Sequence, residues 1–210
     1  MEDFKIFVKD EAASKEAQEL FFGVGFRGGK YKGYDGNKQK TEYRLWANML
    51  KRCYSRSSQL ARPSYIGCEV SDNFKEYDYF YEWCQNQTGF NEKGFQLDKD
   101  LLKKGNRIYS EDLCLFLPSE INTALILRKS KRGKYPIGVT YSERDRLFAS
   151  TLTMYGKNTH VGYFKDEMSA FLKYKEVKEA YLKELANLYK EQINPLAYLA
   201  LLNYEVSIND

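Results

Sequence analysis

The sequence predicts an α+β protein, and three patterns predict it. Apolar residues recur at helical spacing over 41–53 and again beyond 165. Residues 136–164 read as three short strands separated by turn residues. No internal repeat runs along the chain. At 210 residues, with 43% apolar and 30% charged residues, the chain can bury a real core without staples, and wholesale disorder is excluded.

Residues 10–21 have the pattern of a short amphipathic helix, and 21–26 (FFGVGF) that of a strand leading into the loop RGGKYKGYDGNKQK. Thr41 is the expected N-cap of a helix whose Tyr43, Leu45, Trp46, Met49, Leu50 and Cys53 share one face. Pro63 and Gly67 break the chain, and Asp72 is expected to open a second helix bearing core aromatics Phe74, Tyr77, Phe80 and Tyr81. A short strand follows at 95–98, then a Gly-Asn turn, a second strand or loop, and a helix from about Pro118. Strands are expected at 136–141, 147–155 and 159–164, with turns at 142–145 and 156–158. A long helix begins near Lys165, carrying Met168, Phe171, Leu172, Val177, Leu182, Leu185 and Leu188, and Pro195 should end or kink it.

No run approaches the roughly 18 apolar residues of a membrane span, and MEDFKIFVKDE lacks a signal peptide's apolar core. The four cysteines are widely spaced without a CxxC pair, which predicts reduced, buried thiols and a cytoplasmic location. A single histidine argues against a Ser-His-Asp triad and a multi-histidine metal site.

The net charge of +4 hides an asymmetry. Residues 27–62 hold ten bases, among them Arg44, Lys51 and Arg52, against only Asp35 and Glu42. A second acid-free cluster comprises Arg128, Lys129, Lys131, Arg132 and Lys134. Bases interleaved with tyrosines are what a phosphate-neutralising surface needs, so double-stranded DNA is the expected partner. The plainer alternative is solvation, and a further one is a protein-interaction module facing an acidic partner.

The segment LDKD puts Asp98 and Asp100 two apart on an expected strand, with both carboxylates on one face, and a helix presents Asn122 downstream. Carboxylate and amide oxygens suit a hard cation such as Mg²⁺ or Mn²⁺.

Residues 97–122 resemble the HNH, or ββα-metal, endonucleases of phages and their mobile introns. The runs YRLWANMLKRCYS (43–55), YIGCEVSDNFKEYDYFYEW (65–83) and YPIGVT (135–140) look like phage proteins of that kind. The resemblance implies a degenerate HNH-like core, with Asp98 and Asn122 as ligands of one divalent ion and 106–113 as the central loop. Asp112 stands where the family's middle Asn usually does. Lys99 replaces the family's base histidine, and a lysine near pKa ~10.4 is protonated at neutral pH. Asp100 or a metal-bound hydroxide could replace the base, Lys99 could bind the scissile phosphate, Asp112 could orient water or phosphate, or the site could be inactive.

Residues 138–164 and the following helix resemble the ethylene-response-factor type of DNA-binding domain, whose three-stranded sheet lies in the major groove. That likeness turns Phe148, Ser150, Leu152, Val161 and Phe164 toward the helix, and Thr140, Ser142, Thr151, Thr153, Asn158 and His160 toward DNA. Arg144, Arg146 and Lys157 are the charged contacts near the turns. The expected organisation is an HNH-like domain at 1–127, a basic linker at 128–135 and a sheet-plus-helix DNA-binding domain at 136–210, in a monomer. The expected activity is metal-dependent DNA cleavage of homing type; the alternative is a non-cleaving DNA-binding protein on the same scaffold.

Overall fold

The computed structural model describes residues 20–127 and 133–210. The helix expected at 10–21 and the bases Arg128, Lys129, Lys131 and Arg132 fall essentially outside them. The fold is mixed α+β, and contacts divide the chain into two compact units, Met1–Lys93 with Leu97–Phe116, and Gly94–Gln96 with Leu117–Asp210. Helix 119–125 therefore belongs with the C-terminal unit, upstream of the predicted linker. Among the described residues no helix is long and apolar enough to cross a membrane.

The first unit is built on α1 (Thr41–Tyr54), whose Tyr43, Trp46, Met49, Leu50 and Cys53 are buried at the predicted helical spacing. Thr41 is its first helical residue; Lys40 occupies the cap position without a side-chain bond. A short hairpin, β1 (Tyr34–Asp35) and β2 (Lys38–Gln39), precedes it. Residues 21–26 form a tight turn closed by a Phe21–Gly25 bridge, not the expected strand. Gly25 is required there, because a Cβ would lie 2.2 Å from Leu50 and 2.9 Å from Trp46.

After α2 (Arg56–Ala61) and β3 (Glu69–Val70), the expected second helix splits into α3 (Asp72–Lys75) and α4 (Tyr77–Gln85). Asp72 is the first helical residue, as expected, and Ser71 caps it, its hydroxyl accepting the Phe74 N–H. The break has a backbone cause. Phe26 donates its N–H to the Lys75 carbonyl and accepts the Tyr77 N–H, so these groups leave the helical ladder. Phe74, Tyr77, Phe80 and Cys84 are fully buried, and the Trp46 indole donates to the Phe74 carbonyl at 2.9 Å. All four cysteines are buried and free, and burial raises each thiol's pKa.

Strand β4 (Phe95–Asp98) pairs with β6 (Leu115–Pro118), and β5 (Ile108–Tyr109) runs parallel to β3. In the second unit, α5 (Ser119–Leu125) is followed by β7 (Val139–Ser142), β8 (Leu147–Met154) and β9 (Lys157–Phe164), an antiparallel sheet in chain order. The last two strands join through Tyr155 and Gly156, both at positive φ, as a two-residue hairpin turn requires; β9 thus starts two residues before its predicted position.

Helix α6 (Glu167–Leu188) is capped by Asp166, whose carboxylate accepts the Ser169 N–H. It buries Ala170, Phe171, Tyr174, Lys178, Tyr181, Leu182, Leu185 and Ala186, while Met168, Leu172 and Leu188, expected on the apolar face, are exposed. Pro195 opens α7 (Pro195–Leu202) rather than ending α6, as suits a residue whose missing N–H costs nothing at a first turn.

Candidate functional site

Three places bear on function, and each is built locally. The first is the loop after β4. Asp98 Oδ1 accepts the N–H groups of Asp100 (3.0 Å) and Leu101 (2.8 Å), an arrangement that turns the chain out of the strand. Asp98 is consequently buried and Asp100 exposed, so the two carboxylates do not share a strand face as expected. Desolvation raises the Asp98 carboxyl pKa, against the two backbone bonds that lower it.

Lys99 is buried too. Its ammonium donates to Asp100 Oδ1 (2.6 Å) and to the Asn106 carbonyl (2.7 Å), 5.7 Å from the Tyr109 ring centre. Asn106 completes the lock: its amide donates to the carbonyls of Lys99 and Ile108, and its oxygen accepts the Ile108 N–H. Asn106 is the residue that sequence reasoning missed here; a Gly-Asn turn was the visible signal, and the reciprocal bonding was not.

Asp98, Lys99 and Asp100 are thus brought together with Asn106. Asp112 is exposed in a turn of the same unit, and Asn122 belongs to the second unit, where its amide donates to Gln96 Oε1 at 3.1 Å. Among the described residues no group of three or more His, Cys, Asp or Glu side chains is gathered as a metal cluster. As a donor set for a hard divalent ion, the loop offers Asp98 and one Asp100 carboxylate already engaged by Lys99. That set fits such an ion only in part.

The second place is the outer face of the β7–β9 sheet. Cross-strand pairs align Thr140 with Ala149, Ala149 with Tyr163, Thr151 with His160, and Thr153 with Asn158. A bulge at Ser150/Thr151 leaves Val161 without a partner. This extra residue lets Val161 and Phe164 both pack into the α6 core while His160 and Tyr163 both turn outward, where strict alternation would have put the members of each pair on opposite faces. Phe148, Leu152, Val161 and Phe164 pack into the core that contains Phe171 and Tyr174. Ser150 is fully buried.

Thr140, Thr153, Asn158 and His160 are exposed, and Tyr163, half exposed and 4.5 Å ring-to-ring from His160, joins them without having been anticipated. Two expected contacts are engaged internally. The Ser142 hydroxyl bonds Asp145 Oδ2 and accepts the Asp145 N–H, and Arg144 grips both Asp145 oxygens. These bonds hold the Asp145 carboxyl below its ordinary range. Arg146 and Lys157 are exposed.

The third place is the basic N-terminal region, which is uneven. Lys30 is paired with Glu82 at 2.5 Å, and its backbone N–H and that of Tyr31 bond Asp78. Farther along, Arg44 and Lys51 are exposed on α1 and Arg52 is half-buried. No protein-family model matches the chain, and neither a curated protein nor a solved structure does.

Proposed function

We propose that the protein binds double-stranded DNA and that the outer face of the β7–β9 sheet meets the duplex. One observation carries this reading: the strand register gathers Thr140, Thr151, Thr153, Asn158, His160 and Tyr163 on one face, opposite the α6 core, and no strand residue there is acidic. Hydroxyl, amide and imidazole groups suit base edges and phosphate oxygens alike, and Arg146 and Lys157 add charge beside them. Strands of this kind are among the elements that enter DNA grooves.

The test is fluorescence anisotropy with a labelled duplex at low salt. Thr153→Glu combined with Asn158→Glu puts two negative charges on the face and is expected to weaken binding at least about tenfold. Leu172→Glu, on the exposed side of α6, should leave affinity within about twofold. A wild-type protein without affinity for any duplex at about 50 mM salt removes the reading.

A second reading, metal-dependent cleavage of the bound DNA, is favoured by Asp98, a buried carboxyl with a raised pKa at a strand end. Asp98 is its proposed ligand, and one Mg²⁺ or Mn²⁺ would supply Lewis-acid stabilisation of the phosphate. Supercoiled plasmid nicked in a metal-dependent way by wild type and not by Asp98→Asn supports cleavage; plasmid bound but never nicked leaves the binding protein.

A further inference from the structure

We infer that the groove between α1 and α2 is a second contact site, one that takes the phosphate groups of a nucleic-acid backbone; it rests on the DNA reading and extends it to the first unit. Arg44, Asn48, Lys51 and Arg52 recur at helical intervals and form one polar stripe along α1. The chain then turns at Ser55, whose hydroxyl accepts the Ser58 N–H and meets Ser57 Oγ at 3.0 Å, and α2 comes to lie beside the stripe. The resulting groove measures about 470 Å³. Lys51, Arg52, Arg62, Asn48, Ser57 and Ser58 line it.

Three cations converge there without a carboxylate in the lining, and among the described residues no ion pair engages any of them. Lys30 shows the contrast, since Glu82 neutralises it. Converging cations repel one another unless an anion joins them. Arg52 is also held in advance: its guanidinium lies over the Tyr65 ring, 5.5 Å from its centre. A guanidinium fixed from behind loses less freedom when its remaining N–H groups meet an oxyanion.

The lining also selects the ligand. It offers forked and ammonium donors together with hydroxyl and amide groups, which match tetrahedral phosphate oxygens. It contains no aromatic ring on which a base could stack, so it suits a phosphate chain better than a nucleotide read through its base. The volume far exceeds the ~30 Å³ of one water and leaves room for consecutive phosphates. Contacts of this kind fix position and carry no sequence information.

The experiment pairs Lys51→Ala with Arg62→Ala, both exposed, and compares them with the charge-keeping pair Lys51→Arg, Arg62→Lys. Duplex affinity is measured against salt for two unrelated sequences, and inorganic tripolyphosphate is titrated by calorimetry. The alanine pair is expected to lose about tenfold or more on both duplexes alike, and to reduce the slope of log K against log[salt] by about 1.8, the value for two phosphate contacts. The charge-keeping pair should retain most of the slope. An alanine pair with wild-type slope and affinity for DNA overturns the backbone site. If wild type binds tripolyphosphate but no duplex, and the alanine pair binds neither, the phosphate groove stands while the DNA reading falls. Wild type that binds neither ligand overturns both.

Discussion

Asp98 is under two opposing demands. Its Oδ1 ends β4 by accepting two backbone N–H groups, while burial makes its charge costly and raises its pKa. A carboxyl whose folded pKa exceeds its unfolded value contributes most to stability below the unfolded value, here 3.8, and that contribution is lost as pH rises through the folded value. Asparagine keeps the acceptor oxygen and carries no charge. Asp98→Asn is therefore expected to flatten the stability–pH curve above 3.8 and to raise Tm at pH 7 by a few degrees, measured in thermal melts. A lower Tm at pH 7 would mean that the ionised carboxylate is satisfied by a partner. The same bonding explains why the acidic pair was misjudged from sequence. Alternation puts residues 98 and 100 on one face only while the strand continues, and the Asp98 side chain is itself what stops it.

Among the elements, α6 shows what helical periodicity cannot reveal. Lys178 lies on its buried face, where its ammonium donates to the Ala124 carbonyl in the last turn of α5. Burial alone pushes the Lys178 pKa down to about 8 from 10.5. With the folded value depressed, the unfolded chain binds more protons between those two pH values, so stability rises as pH climbs from about 8 to 10.5. Lys178→Met removes the buried charge, worth roughly 2–4 kcal/mol, and forfeits one hydrogen bond worth about 1 kcal/mol. Melts across pH 7–10 should show a higher Tm at pH 7 and no alkaline gain; a fall at pH 7 would assign the ammonium a stronger role at the end of α5. The elements legible in the sequence were those long enough to display a period: α1, α6 and strands β8 and β9. The two-residue strands β1, β2, β3 and β5 show none, and the Phe26 insertion that divides α3 from α4 depends on a segment some fifty residues away. The outer sheet face was legible in its members. The bulge that keeps His160 on the same face as Tyr163 was not, because pairing partners fix a bulge and local sequence does not.

For the whole molecule, the formal charge of +4 is a poor guide to where an anion would go. Lys30 is answered by Glu82 of α4, whereas the lining of the α1–α2 groove and the strands of the sheet carry no acid. The groove offers charge and the sheet face offers directional hydrogen bonding, so on the proposed reading the first would position a duplex and the second would meet base edges. If both grip one duplex through separate contacts, their losses of binding free energy add. A variant joining Lys51→Ala and Arg62→Ala to Thr153→Glu and Asn158→Glu is then expected to lose about 10²-fold or more, the product of the two separate losses, when measured by anisotropy at one salt concentration. The sheet-face substitutions alone should leave tripolyphosphate binding unchanged, because that ligand meets only the groove. A combined loss no larger than the greater single loss would mean that only one of the two surfaces touches the duplex.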